Sequence, residues 1–369
     1  MKQIVKSLAA AAALTVSSVS MAQVTFDSNL ELNNIYRSHS AGTSLGGPLG
    51  GSSFNSSGRV ELNINGKATR GEYLVSGRAT LGLQTDGTTY VDDAWGAFGN
   101  NLWNVKLGRF EAMDLFPAGK DVAVERTYGD NDQLSNNLDV TASGGQFYKG
   151  NVLRGRSVGL NNVSKSNLHI AGQYTGIAGL TAELGLVAGK GNRDGRLSGV
   201  RPALTYVTGP VTVRAGLEYI RRDETAAVPA VTDTTGAVVI ARAVAAVPSD
   251  SATGGAIGGS YQLNPDTMIN LSYAQLRSRK TLGLNTVAGN FGLGLVYGKF
   301  GGFTSTDGAG NPVAVSGGNE ALIYTAYSIP LLDIPGATIT PAASYSRFKP
   351  DAGESRDVFA ANVRLNYAF

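Results

Sequence analysis

From Gln23 to Phe369 the chain is built of segments about ten residues long in which apolar and polar side chains alternate, joined by polar connectors of alternately short and long length. In RVELNINGK, Val60, Leu62 and Ile64 share one face and Arg59, Glu61, Asn63 and Asn65 the other. In EYLVSGRATLGL, Tyr73, Val75, Ala79, Leu81 and Leu83 oppose Ser76, Arg78 and Thr80, and in VTVRAGLEYI, Val211, Val213, Ala215, Leu217 and Tyr219 oppose Arg214 and Glu218. The ending FAANVRLNYAF sets Phe359, Ala361, Val363, Leu365, Tyr367 and Phe369 against Ala360, Asn362, Arg364, Asn366 and Ala368. Side chains two residues apart lie on one side of an extended strand, so every segment has a dry side and a wet side. No amphipathic helix of convincing length interrupts the series.

The dry sides point to lipid. A soluble sandwich shares its core between sheets and carries more Lys and Glu outside. Here the apolar faces include Ala and Gly and bear aromatic residues near the segment ends, at Trp103, Tyr206, Tyr219, Tyr297, Tyr327 and Tyr345, as aromatic girdles do at the two edges of a membrane. No long apolar run follows the first two dozen residues, which excludes an ordinary helical membrane protein. A closed barrel is the remaining way to satisfy every backbone group in a bilayer. The expected fold class is therefore all-β, a transmembrane antiparallel barrel.

Sixteen strands are predicted, over 24–36, 58–67, 72–84, 90–98, 103–109, 166–175, 180–189, 197–207, 210–222, 254–263, 267–277, 280–287, 290–300, 319–329, 336–348 and 356–369. The connectors agree with that number, because ATRG, GNNL, GIAG, VTGP and NPD fall at one end of the strands while the long stretches 37–57, 110–165, 223–253 and 301–318 fall at the other. Eighteen strands is the alternative, if 156–163 and the Ala/Val-rich 236–248 join the sheet. The second stretch is read instead as an external hairpin with 226–231 around TDTTG.

The first 22 residues read as an export signal: Lys2 and Lys6, an apolar stretch from Leu8 to about Val16, then Ser20-Met21-Ala22 as a small-x-small cleavage site. Without Lys2 and Lys6, 29 basic residues remain against 28 acidic ones, and the basic ones are scattered singly, so no nucleic-acid partner is expected. The chain has no Cys, so stability rests on packing and hydrogen bonds.

The final strand, with Phe369, Tyr367 and Leu365 on one face, resembles the signal by which Gram-negative outer-membrane proteins are handed to their assembly machinery. VDDAWGAFGNNLWNVKLGRFEAMDLFP (91–117) resembles a porin pattern, two strands joined by a tight turn and ending in Leu-Gly-Arg before a long loop. The chain is thus similar to Gram-negative porins of the general or carbohydrate type. The resemblance implies residence in the outer membrane among lipid and lipopolysaccharide, a homotrimer, small hydrophilic solutes as cargo, and a loop over 110–165 folded into the pore.

Residues 110–139 hold seven carboxylates, Glu111, Asp114, Asp121, Glu125, Asp130, Asp132 and Asp139, against Lys120 and Arg126. Inward strand positions supply Arg59, Arg78, Lys106, Arg201, Arg214 and Arg364. A loop folded inward would set its carboxylates across from those cations, and the resulting transverse field selects solutes by charge and dipole; solvated loop charges are the plainer reading. Arg109 reaches the lumen only if the strand ends or bulges at Gly108. Phe110, Phe116, Tyr128, Phe147 and Tyr148 either offer rings to sugars or pack the loop against the wall.

Three other signals are weak. GTSLG (42–46) matches a nucleophile elbow but lacks the strand and helix that motif needs. His39 and His169 are the only histidines, and neither has a patterned nucleophile, so no catalytic residues and no enzyme activity are expected. DNDQLSNNLD (130–139) is oxygen-rich enough to hold Ca²⁺ but lacks the Gly and terminal Glu of a dedicated loop, so no cofactor is expected. Two functions follow: a water-filled outer-membrane channel for passive diffusion, with a saccharide-preferring channel as its variant, or a non-conducting barrel serving as enzyme or adhesin.

Overall fold

The computed structural model describes residues 23–40, 51–113, 115, 168–190, 196–223, 231–232, 239–241, 249–276, 279–306, 312–315 and 317–369. Sixteen long strands form one closed antiparallel ring: β1 Gln23–His39, β2 Gly51–Arg70, β3 Tyr73–Gln84, β4 Thr89–Gly99, β5 Trp103–Arg109, β6 Leu168–Ile177, β7 Leu180–Lys190 and β8 Arg196–Thr208 make the first half. The second half is β9 Val211–Arg222, β10 Asp250–Asn264, β11 Thr267–Leu276, β12 Arg279–Ala288, β13 Phe291–Phe300, β14 Gly318–Tyr327, β15 Ala337–Pro350 and β16 Arg356–Ala368. Each strand pairs with its neighbours in sequence, and β1 pairs with β16 from Asn29↔Ala368 to His39↔Val358, so the sheet has no free edge. That closure is what lipid requires of a β structure.

Every predicted strand is present, including 280–287. The alternative of eighteen meets two outcomes: 156–163 and most of 236–248 lie outside the described residues, while Val231–Thr232 and Val239–Ala241 pair in a small sheet apart from the barrel. A second small hairpin, Phe303–Thr306 with Pro312–Val315, stands in the stretch read from sequence as a plain connector. Residues 1–22 lie outside the described residues.

Alternation decides which way each side chain points. On β12, Thr281 is 2% exposed while Leu282 beside it is 49% exposed. The girdle residues Trp103, Tyr206, Tyr219, Tyr297, Tyr327 and Tyr345 are all exposed on the outer surface. At the seam, Ser28 and Phe369 exchange two backbone hydrogen bonds of 2.7 and 2.9 Å, and the Tyr367 and Phe369 rings stack at 4.9 Å. Phe359, Val363 and Phe369 face out and Ala360 and Asn362 face in, as the ending's alternation requires.

Candidate functional site

The inner wall has two unlike halves. Over β1–β5 and β16 it is polar and open. Strand register places Glu31 directly opposite Arg59, and Gly82 stands between Glu61 and Tyr90 on adjacent strands, so charges collect without any long-range fold requirement. The Arg59 guanidinium donates to Glu31 at 2.9 Å, reaches Glu61 at 3.1 Å and donates to the Tyr90 hydroxyl at 3.3 Å; that hydroxyl in turn donates to Glu61 at 3.1 Å. Arg364 donates to Asn33 at 2.8 Å and lies 3.9 Å from Glu31. Arg78 donates to Asn63 at 2.6 Å and to Thr80 at 3.1 Å, with Asp93 at 3.6 Å. Asn63 donates in turn to Asp27.

Arg59 and Arg78 keep 41% and 36% of their side-chain surface exposed, so each of these pairs is worth only about 0–1 kcal/mol. Their consequence is a dense field of alternating sign along one wall, not rigidity. Two aromatic rings share that wall. Tyr90 lies flat over Gly82, where a Cβ would run into its ring, and Trp95 lies under the Lys106 ammonium at 4.5 Å.

Over β6–β11 the wall is covered by the start of the connector after β5. Gly108 has φ +122°, a conformation costly for any residue with a Cβ, and there the chain leaves β5. Phe110 then stacks on His169 at 3.7 Å, and Leu115 packs on Ala203, Ala256 and Ala274 with Met113 and Ile220 beside it. Gly216 gives Leu115 its seat, because a Cβ there would crowd the leucine methyls. Backbone groups of Met113 are held at both ends: its N–H donates to Glu183 at 2.7 Å and its carbonyl accepts from Arg201. Arg201 and Glu183 lie 3.7 Å apart at 1% and 8% exposure, a buried pair that serves as clamp for the start of the connector.

The predicted cations thus divide. Arg59, Arg78, Arg364 and Lys106 lie on the open wall, each arginine with a carboxylate from a neighbouring strand. Arg201 is buried in the clamp, Arg214 donates to Ser260 at 2.8 Å, and Arg109 donates to the Asp92 carbonyl at 2.9 Å at the end of β5. Of the predicted loop residues, Glu111 is half-buried and Phe110 is 2% exposed, its ring packed on His169. Asp114, Asp121, Glu125, Phe116, Tyr128, Phe147 and Tyr148 lie outside the described residues, as do the oxygen-rich 130–139 and GTSLG. Glu31, Glu61, Asp93, Tyr90 and Trp95 went unselected in the sequence, although the Arg59 alternation already put Glu61 on the wet face.

Residues 46–218, a little less than half of the chain, match the family model described as porin-like glycoporin RafY. No curated protein matches the sequence. Among solved structures, a loop L8 deletion mutant of OmpT, an outer membrane protein of Vibrio cholerae, is similar at TM-score 0.53 and 14% identity, over 94% of this chain and 99% of that one. In-vitro folded OmpT of Vibrio cholerae, solved in a trimer form, has TM-score 0.51 at 14% identity, with the same shares. A mutant of the Rh. blastica porin has TM-score 0.51 at 13% identity, over 94% of this chain and 100% of that one.

Proposed function

We propose that this chain, a porin-type barrel of the Gram-negative outer membrane, forms a water-filled channel through which small hydrophilic solutes and ions diffuse passively. The observation that carries the reading is the open inner wall of β1–β5, where Arg59, Glu31, Glu61, Arg78 and Asp93 present both signs of charge beneath an apolar exterior. Fixed charges at close quarters in a narrow aqueous passage admit polar solutes and order them by charge and dipole. Passive diffusion takes its free energy from the solute gradient, so the proposed activity involves neither a cofactor nor bond chemistry and is not enzymatic.

A saccharide preference is the second reading. It is favoured by the partial match to a glycoporin model and by Tyr90 and Trp95 beside hydrogen-bonding charged groups, since a ring face meets the C–H face of a sugar while carboxylates and guanidinium groups take its hydroxyls. Assembly as a homotrimer belongs to the same proposal, supported by the likeness to OmpT of Vibrio cholerae in its trimer form.

The test is single-channel current from the purified protein in a planar bilayer, with a salt gradient and then added oligosaccharide. Uniform conductance steps are expected, in threes for a trimer. Sugar-dependent block, weakened in Trp95→Ala, supports the saccharide preference, and block that Trp95→Ala leaves unchanged refutes the role of that ring. A folded protein that never conducts overturns the channel.

A further inference from the structure

Among the described cations of the open wall, Lys106 differs from its neighbours. Arg59, Arg78 and Arg364 lie 2.9, 3.6 and 3.9 Å from a carboxylate, whereas Lys106 has no ion-pair partner among the described residues. Its ammonium is held between two rings, 4.5 Å from the centroid of Trp95 and 5.1 Å from that of Phe110. The two carboxylates whose fields reach it are committed elsewhere: Asp93 faces Arg78, and Glu183 accepts from the Met113 N–H at 2.7 Å and lies 3.7 Å from Arg201. A ring face satisfies an ammonium less fully than a carboxylate does, because its quadrupole carries no net charge and offers no lone pair for a directed N–H bond. The half-buried Lys106 therefore keeps an unanswered positive charge at the wall.

Strand register gives that charge a shaped surrounding. Trp95 on β4 pairs with Arg78 on β3 and with Gly108 on β5, so the indole has a guanidinium on one flank and no side chain on the other. Lys106, two residues before Gly108, reaches over the indole across that gap. Two residues further back along β5, Asn104 donates to Gln173 at 3.0 Å, adding a pair of amides to the same stretch of wall. A solute that uses all of these groups has a C–H face for the indole, hydroxyls for Arg78 and the amides, and a negative charge for Lys106. A single unanswered ammonium matches a monoanion, which selects a carboxylate over a phosphate ester.

We propose that the wall at Trp95 and Lys106 is a binding site for acidic saccharides, pyranoses that carry a carboxylate, and that Lys106 selects them over neutral sugars. The proposal rests on the saccharide reading above and adds to it the charge of the solute. The sugar ring shares the indole with the ammonium, and its carboxylate replaces the ring as the partner of that ammonium.

The test is block of single-channel current in the full refolded chain by trigalacturonate and by an uncharged trisaccharide of the same length, with acetate as a carboxylate that has no ring. In the native chain the acidic trimer should block at a concentration roughly ten-fold lower than the neutral one, and acetate should not compete. Lys106→Met and Lys106→Gln should both abolish that difference while leaving block by the neutral trimer within about two-fold, and Lys106→Arg should retain it. Conductance steps in each variant establish that it folds. Equal block by the two trimers in the native chain, a difference that persists in Lys106→Met and Lys106→Gln, or full competition by acetate would each overturn the proposal while leaving the saccharide reading in place. Block by neither trimer overturns the saccharide reading itself, and this proposal with it.

Discussion

Replacing Arg201 by Met tests whether the buried clamp holds the start of the long connector. The guanidinium bonds the Met113 carbonyl and lies 3.7 Å from Glu183, with the two side chains at 1% and 8% exposure. Water therefore screens neither partner, and the discount that applies to the open-wall pairs does not apply here. Arg201→Met leaves Glu183 charged and buried without its cation, which costs about 3–5 kcal/mol. Adding Glu183→Gln removes that charge but keeps an oxygen for the Met113 N–H, so the double variant should recover most of the loss and retain a deficit of about 1 kcal/mol from the Met113 carbonyl. Guanidinium unfolding of the refolded barrel measures all three chains, and a double-mutant cycle isolates the coupling. Open-channel current noise, read in parallel, should rise in Arg201→Met as residues 110–113 lose their hold. A single variant costing less than about 1 kcal/mol, or a double variant as unstable as the single, refutes the clamp.

Gly294→Ala should destabilise by about 1–3 kcal/mol, because the new Cβ meets the ring of Tyr324 at 1% exposure, whereas Gly66→Ala, whose Cβ finds open space, should be neutral within about 0.5 kcal/mol; denaturant midpoints decide both. Glu31→Gln removes a carboxylate shared by Arg59 and Arg364, so reversal potentials should shift toward anions with little change in unfolding midpoint. In the external turn between β3 and β4, donation from the Thr88 hydroxyl and N–H holds the Asp86 carboxyl below its usual range, a contribution present above the unfolded value and lost as pH falls through the folded one. Thr88 amide exchange should therefore quicken at acid pH in the native chain and show no such pH step in Asp86→Asn.

The barrel was legible because alternation is a local property: Thr281 and Leu282 declare their faces from two adjacent letters, and sixteen such segments suffice. What alternation misses is any break in parity. On β4 an extra residue sits at Asp92–Asp93, where Ala79 pairs with Ala94 but Leu81 with Val91. Tyr90 and Trp95, an odd number of residues apart, consequently both face inward, and strict alternation would have sent one of them to the lipid. Cross-strand partners were hidden for a different reason. Glu31 meets Arg59 through a register 28 residues apart, which no single segment specifies. The inward turn at Gly108 was foreseen only as a condition for Arg109, and the structure uses it to seat Phe110 on His169 instead.

The pairing of β1 with β16 also fixes how the molecule can come together. Fifteen of the sixteen strand pairings join neighbours in sequence, but the seam joins Ser28 to Phe369. Closing a loop of about 340 residues costs about 5 kcal/mol in chain entropy if nothing else has formed, and far less once the intervening hairpins hold the two ends near each other. The seam is therefore the natural last event of assembly. Until it forms, two strand edges expose unpaired backbone groups to lipid, so a half-closed barrel is penalised along its whole height. Once it has formed, a nick in an external connector leaves the ring of hydrogen bonds unbroken, and the barrel has no end from which to unravel.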